Sequence, residues 1–113
     1  MLIGGLATPV LHAQGTQPAF LVIANEVLKP DDYKNNFLPV ASANIKSHGG
    51  VYVAAGEGVK IEGNLPVARV AVIRFDSMDA LKSWQSSADW QDTRKKGDGL
   101  ANFNFIAVNG VKQ

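Results

Sequence analysis

The chain has 113 residues and no Cys, which leaves room for one domain and excludes disulfide frameworks, thiolate metal sites and cysteine nucleophiles. Eleven Lys and Arg against ten Asp and Glu give a net charge of +1, a near-balance without the basic footprint of a nucleic-acid or anionic-membrane binder. Two His do not make a multi-histidine zinc site, and 46% hydrophobic residues suffice for a folded core.

Residues 1–13 (MLIGGLATPVLHA) carry no charge. The apolar run ending His12-Ala13 before Gln14 has the form of the hydrophobic and cleavage regions of a secretory signal, although the basic n-region is missing. Pro9, Gly4-Gly5 and a length below the ~18 to 20 residues of a membrane span argue against insertion in a bilayer. Residues 1–18 are therefore expected to be a leader remnant or an N-terminal tail with linker, and residues 19–113 the domain. A leader places the protein in the periplasm or outside the cell; without one it is cytoplasmic.

From Ala19 to Leu28 (AFLVIANEVL) the chain reads as a strand. Pro30-Asp31-Asp32 opens a helix, because Pro suits the first turn and acidic residues complement its N-terminus. Its apolar stripe is Tyr33, Phe37, Val40 or Ala41, and Ile45; Pro39 is expected to kink it, and Gly49-Gly50 to close it. Val51 to Ala55 is a short second strand, and the Gly-rich stretch 56–66 an exposed connection. The third strand is 67–75 (VARVAVIRF). Asp76 or Ser77 then caps a short helix carrying Met78, Leu81 and Trp84. Ser86 or Ser87 restarts the helix, Trp90 faces inward and Gly97 ends it; 102–108 is the last strand.

This βαββαβ order implies an α+β ferredoxin-like sandwich, a four-stranded antiparallel sheet with helices on one face. Yet the strands are apolar on both alternations: Ala71, Ile73 and Phe75 oppose Ala68, Val70 and Val72, while Leu21 and Ile23 oppose Phe20 and Val22. A sheet with one face in water should alternate apolar with polar residues. The second face therefore needs a cover, and a second copy packed sheet to sheet supplies it, so a homodimer is expected.

Several short motifs share an order and spacing with one family. Asp31-Asp32-Tyr33-Lys34 opens the first helix, and Gly49-Gly50-Val51-Tyr52-Val53 enters the second strand. Arg69 with the following apolar strand, Phe75-Asp76-Ser77-Met78, Trp84, Ser87 and Gly110-Val111 complete the set. Across residues 19–111 the chain resembles the domain of unknown function 1330 family of the dimeric α/β-barrel superfamily. The resemblance implies the ferredoxin-like fold paired as a dimeric barrel, and the leader resembles that of exported members. Superfamily relatives include cofactor-free monooxygenases, isomerases and heme-binding enzymes, but the family has no established reaction to carry over. Two departures stand out. Members often have an Arg after the second strand, where this chain reads Ala54-Ala55-Gly56, and a Tyr after the Trp, where it has Gln85.

The candidate ligand-binding residues are His48, Arg69, Tyr33, Tyr52 and Trp84. His48, before Gly49-Gly50, is either a base or heme ligand at a pocket mouth or a solvated helix-end His. Arg69 either binds an anion or pairs with Glu26 or Asp76. Tyr33, Tyr52, Trp84 and Trp90 either line an aromatic pocket or pack the core. Asn25 and Glu26 are polar in an apolar strand, so each needs a partner, a pocket or the dimer axis. No dinucleotide, phosphate-loop, zinc-protease or nucleophile-elbow motif is present. The RNA-recognition module shares the element order, but strand 67–75 lacks stacking aromatics at its centre. The expected function is binding of a small organic ligand in a mostly apolar pocket without catalysis. The alternative is a cofactor-free monooxygenase- or isomerase-like enzyme. No cofactor, metal, nucleic-acid partner or membrane insertion is expected.

Overall fold

The computed structural model describes residues 17–66 and 68–112; the expected leader at 1–13 and Val67 of the third strand lie outside the described residues. β1, Ala19–Val27, alternates buried with half-buried positions over its first eight residues, because successive side chains of a strand point to opposite faces. A helical run over 30–47 follows, built from α1 (Pro30–Asp32), a π-helical turn (Tyr33–Phe37) and α2 (Leu38–Ser47). The irregularity expected at Pro39 appears just ahead of it, where the Leu38 N–H reaches back five residues to the Tyr33 carbonyl. Pro39 offers no N–H, and its ring crowds the carbonyl four residues earlier, so a widened turn accommodates it without ending the helix. Tyr33, Phe37, Ala41 and Ile45 face inward; Val40, the alternative to Ala41, is exposed.

Gly49, with φ +91°, supplies the left-handed residue after His48, and a Cβ at Gly50 would meet the Ile45 side chain at 2.5 Å. β2, Val51–Glu57, extends beyond the expected strand and shifts register between Tyr52 and Ala54. β3 is Arg69–Phe75. Ser77 caps α3, Met78–Ser86, by accepting from the Ala80 N–H. Ser87 caps α4, Ala88–Lys95, by accepting from the Trp90 N–H, and donates to the Trp84 carbonyl at 2.6 Å. α4 ends as expected just before Gly97, one residue past its Lys96 cap, while the left-handed residue is Gly99, at φ +81°. Gly97 is needed for close approach, since a Cβ there would stand 2.5 Å from Phe103 and 2.9 Å from Phe37. The last strand is split into β4 (Ala101–Asn102) and β5 (Phe105–Asn109).

The sheet order is β2-β3-β1, with β4 and β5 both on the far edge of β1 and every pairing antiparallel. This is the α+β ferredoxin-like architecture, with the helices on one face. Leu21, Ile23, Ala71, Ile73 and Phe75 point to that face and bury against Phe37, Ile45, Leu81, Trp84 and Trp90. Strand register aligns Val22 with Val72 and Ile106, and Phe20 with Val108, on the opposite face. There Ile106 is 68% exposed, and Val51 and Val108 more than half. No helix among the described residues is long and apolar enough to cross a membrane.

Candidate functional site

Asn25 lies on β1 among apolar neighbours and is 2% exposed. Its amide is oriented by the break in the last strand: the Asn104 N–H donates to Asn25 Oδ1 at 3.0 Å, where a continuous strand would have put a ladder bond. Asn104 is held in turn, since its Nδ2 donates to the Ala24 carbonyl and its own carbonyl accepts from the Ala24 N–H. With its oxygen occupied, Asn25 has only its Nδ2 to present on the other side, and it donates to the Tyr33 hydroxyl at 3.1 Å. Tyr33 begins the π-helical turn. A strand break and a widened helical turn thus meet at one hydroxyl, a pattern common next to functional sites.

Burial pushes the Tyr33 phenol above its ordinary value of 10.0. The hydrogen bond from Asn25 and the charge of Arg69 oppose that shift by favouring the phenolate, while Tyr52 adds to it. Arg69 opens β3 opposite Asn25 on one side and Glu57 on the other. The expected pairing of Arg69 with Glu26 or Asp76 is not formed. Asp76, just past the end of β3, takes Arg74 at 3.3 Å, and Glu26, on the opposite face from Asn25, accepts from Asn102 at 2.8 Å. No carboxylate lies within ion-pair distance of Arg69 among the described residues.

Two cavities share the wall formed by Tyr33, Leu38 and Arg69. The inner one, between helices and sheet, has a volume of about 20 Å³ and is lined by Asn25, Phe37, Tyr52 and Trp90 among others. It has room for a single water molecule. The outer one is an open cleft of about 710 Å³ at the ends of β1 and β2 and the start of β3, completed by Val27, Pro30, Lys34, Glu57 and Ala68. That volume falls within the range of small-molecule sites. A third hollow of about 610 Å³ lies against the opposite face, beneath the β2–β3 connection at Val59, Ile61 and Leu65.

The five candidate residues separate into two groups. Tyr33, Tyr52 and Arg69 come together around the inner cavity, with Tyr33 and Arg69 reaching the outer cleft as well. His48 and Trp84 belong to a different cluster. His48 Nε2 lies 2.8 Å from Asp89 Oδ2, Asn44 donates to the same oxygen at 2.9 Å, and Trp84 Nε1 donates to Asn44 Oδ1 at 3.0 Å. The hydrogen bond from His48, with a smaller contribution from that of Asn44, brings the Asp89 carboxyl down to about 2. This cluster ties the end of α2 to the start of α4. Trp84 is fully buried, with its ring 4.5 Å from that of Trp90. His48 and Arg69 are far apart along the sheet: His48 precedes Val51, which pairs with Arg74, whereas Arg69 is five residues away along β3, roughly 16 Å at ~3.3 Å per residue, and Tyr52, opposite Ile73, reaches the inner cavity from the His48 end. His48 lines none of the three cavities. Glu57, Leu38 and Asn104 gave no signal in the sequence, because their roles depend on strand register and on a break that the residue pattern does not mark.

Among curated proteins no sequence matches the chain. Among solved structures it is similar to a protein of unknown function from Rhodopseudomonas palustris, at 11% identity over 95% of this chain and 94% of that one, with a TM-score of 0.66. It is also similar to SnoaB, a cofactor-independent oxygenase from Streptomyces nogalater, at 11% identity over 86% and 96% of the two chains, with a TM-score of 0.64. A third structure, named as a candidate antibiotic biosynthesis monooxygenase from Caulobacter crescentus, shares 18% identity over 90% and 99%, with a TM-score of 0.55. Identities this low establish the fold alone. The family model for the domain of unknown function DUF1330 matches residues 18–111, nearly the whole described chain, and the protein belongs to that family.

Proposed function

We propose that the protein binds a small organic molecule in the cleft bounded by Tyr33, Lys34, Leu38, Glu57 and Arg69, as a homodimer and without a catalytic role. The observation that carries this reading is the shared wall: a cleft of about 710 Å³ backed by a hydroxyl that two asparagines hold in place and flanked by an Arg without an ion-pair partner among the described residues. Buried polar networks of this kind are costly unless fully satisfied, so such an arrangement beside a cleft is characteristic of a binding site. The apolar outer face of the sheet supports the dimer, because exposed apolar surface of this extent marks an interface. The role falls to residues 19–113, in the periplasm or outside the cell where residues 1–13 act as a leader.

A cofactor-free enzyme is the second reading. It is favoured by the position of the Tyr33 hydroxyl, held by Asn25 on the wall it shares with Arg69, where a phenol kept protonated by burial has a proton to donate. A thermal-shift screen of small aromatic and oxo acids, on wild type and Arg69→Ala, tests the binding reading. Stabilisation of wild type that Arg69→Ala loses is the expected result; no shift with any compound overturns it. Consumption of a bound compound by wild type but not by Tyr33→Phe would replace binding with catalysis.

A further inference from the structure

Resting on the binding reading of the outer cleft, we infer that its ligand is a small organic monoanion, a carboxylate whose head lies between Arg69 and Lys34 beside the Tyr33 hydroxyl. The charges lining the cleft are two cations, Arg69 and Lys34, and one carboxylate, Glu57. Their sum of +1 is matched by one negative charge and not by a neutral molecule or a dianion. Glu57 sits directly opposite Arg69 in the β2–β3 register, yet it forms no ion pair with it. A half-buried guanidinium that has lost part of its hydration and gained no carboxylate partner among the described residues is compensated by an incoming anion.

The chemistry of the donors selects the head group. Arg69 carries a planar fork suited to two carboxylate oxygens, and Lys34 a compact charge on a flexible stem. The Tyr33 oxygen already accepts from Asn25, so its own proton is left for a second partner. Arg69 and Tyr33 stand on the wall shared by the two cavities, so guanidinium and hydroxyl face the same cleft. The remaining lining, Val27, Pro30, Leu38 and Ala68, is apolar and suits an aromatic or short aliphatic body. The inner cavity, at about 20 Å³, admits no such body, so the ligand is confined to the outer cleft.

Isothermal titration calorimetry of the full chain with benzoate, benzyl alcohol and inorganic phosphate tests the inference. Benzoate should bind at least ~10-fold more tightly than benzyl alcohol, as expected for one charge-assisted contact set. Arg69→Gln should weaken benzoate by ~10-fold or more and Lys34→Gln by a few-fold, whereas Glu57→Gln, which removes the competing carboxylate, should tighten it by about 3-fold. A merely structural role for Glu57 does not produce that gain, and unchanged melting temperatures confirm that each variant is folded. Equal binding of benzoate and benzyl alcohol, or full benzoate affinity in Arg69→Gln, overturns the monoanion and leaves the cleft as a binding site. Phosphate binding as tightly as benzoate overturns the organic body. Failure of both aromatic compounds to bind overturns the ligand class, and if the wider panel of acids is also silent the binding reading falls with it.

Discussion

Asn25 spans the distance between a strand and a helix with one amide, accepting from Asn104 and donating to Tyr33. Asn25→Leu would keep the size and remove both bonds, leaving a backbone N–H and a phenol without partners. The expected loss is about 2 to 4 kcal/mol in urea unfolding. A change below ~0.5 kcal/mol, the scale of an ordinary surface substitution, would mean that water replaces the amide. At the other end of the sheet, Asp89 is ionised down to about pH 2 in the folded chain against a value of 3.8 without its partners. A depressed carboxylate stabilises the fold above its unfolded value, and that stabilisation is lost as pH falls through the folded one. Wild type should therefore exceed Asp89→Asn in urea midpoint at pH 5, with the gap closing as pH falls from 3.8 towards about 2. A gap independent of pH would assign Asp89 a packing role instead.

Among the elements, the paired short helices depend on their serines. Ser77 makes one cap bond, to the Ala80 N–H, whereas Ser87 accepts from Trp90 and also donates to the carbonyl of Trp84. Ser77→Ala should cost about 1 kcal/mol and Ser87→Ala about 2 kcal/mol by chemical denaturation. Equal costs would show that the bond to Trp84 adds nothing. The sequence narrowed these caps to Asp76 or Ser77 and Ser86 or Ser87 and the inward stripe to Tyr33, Phe37, Val40 or Ala41, and Ile45, and β1 and the two apolar faces of β3 were legible, because each rests on local chemistry or on a short period. The π-helical turn, the split of the last strand at Phe103-Asn104 and the bulge near Val53 were not legible. Pro39 signals an irregularity in the helix but not its form, and the strand break and the bulge are decided by long-range register. The candidate site divides in the same way. Tyr33, Tyr52, Arg69 and the polar anomaly of Asn25 could be singled out by type, whereas grouping them away from His48 and Trp84 required knowing which cavity each lines.

Across the whole molecule, the helices leave one face of the sheet bare, and Val22, Val72, Ile106 and Val108 make it apolar along aligned rows. Pairing of two copies through this face should give a light-scattering mass twice 12.1 kDa at micromolar concentration. Val72→Glu, at the centre of the face, should halve that mass while far-ultraviolet circular dichroism stays unchanged, because an unpaired buried carboxylate is strongly disfavoured. A wild-type monomer would contradict the pairing. The cleft lies on the helical side, away from this face, so ligand binding and pairing are separable. Mapping backbone amide shifts by nuclear magnetic resonance during titration with a stabilising acid tests the binding reading most directly. Perturbations should gather at Tyr33, Lys34, Leu38, Glu57 and Arg69. Shifts centred on Val22 and Ile106, on the loop at Val59 and Ile61, or nowhere, would contradict it.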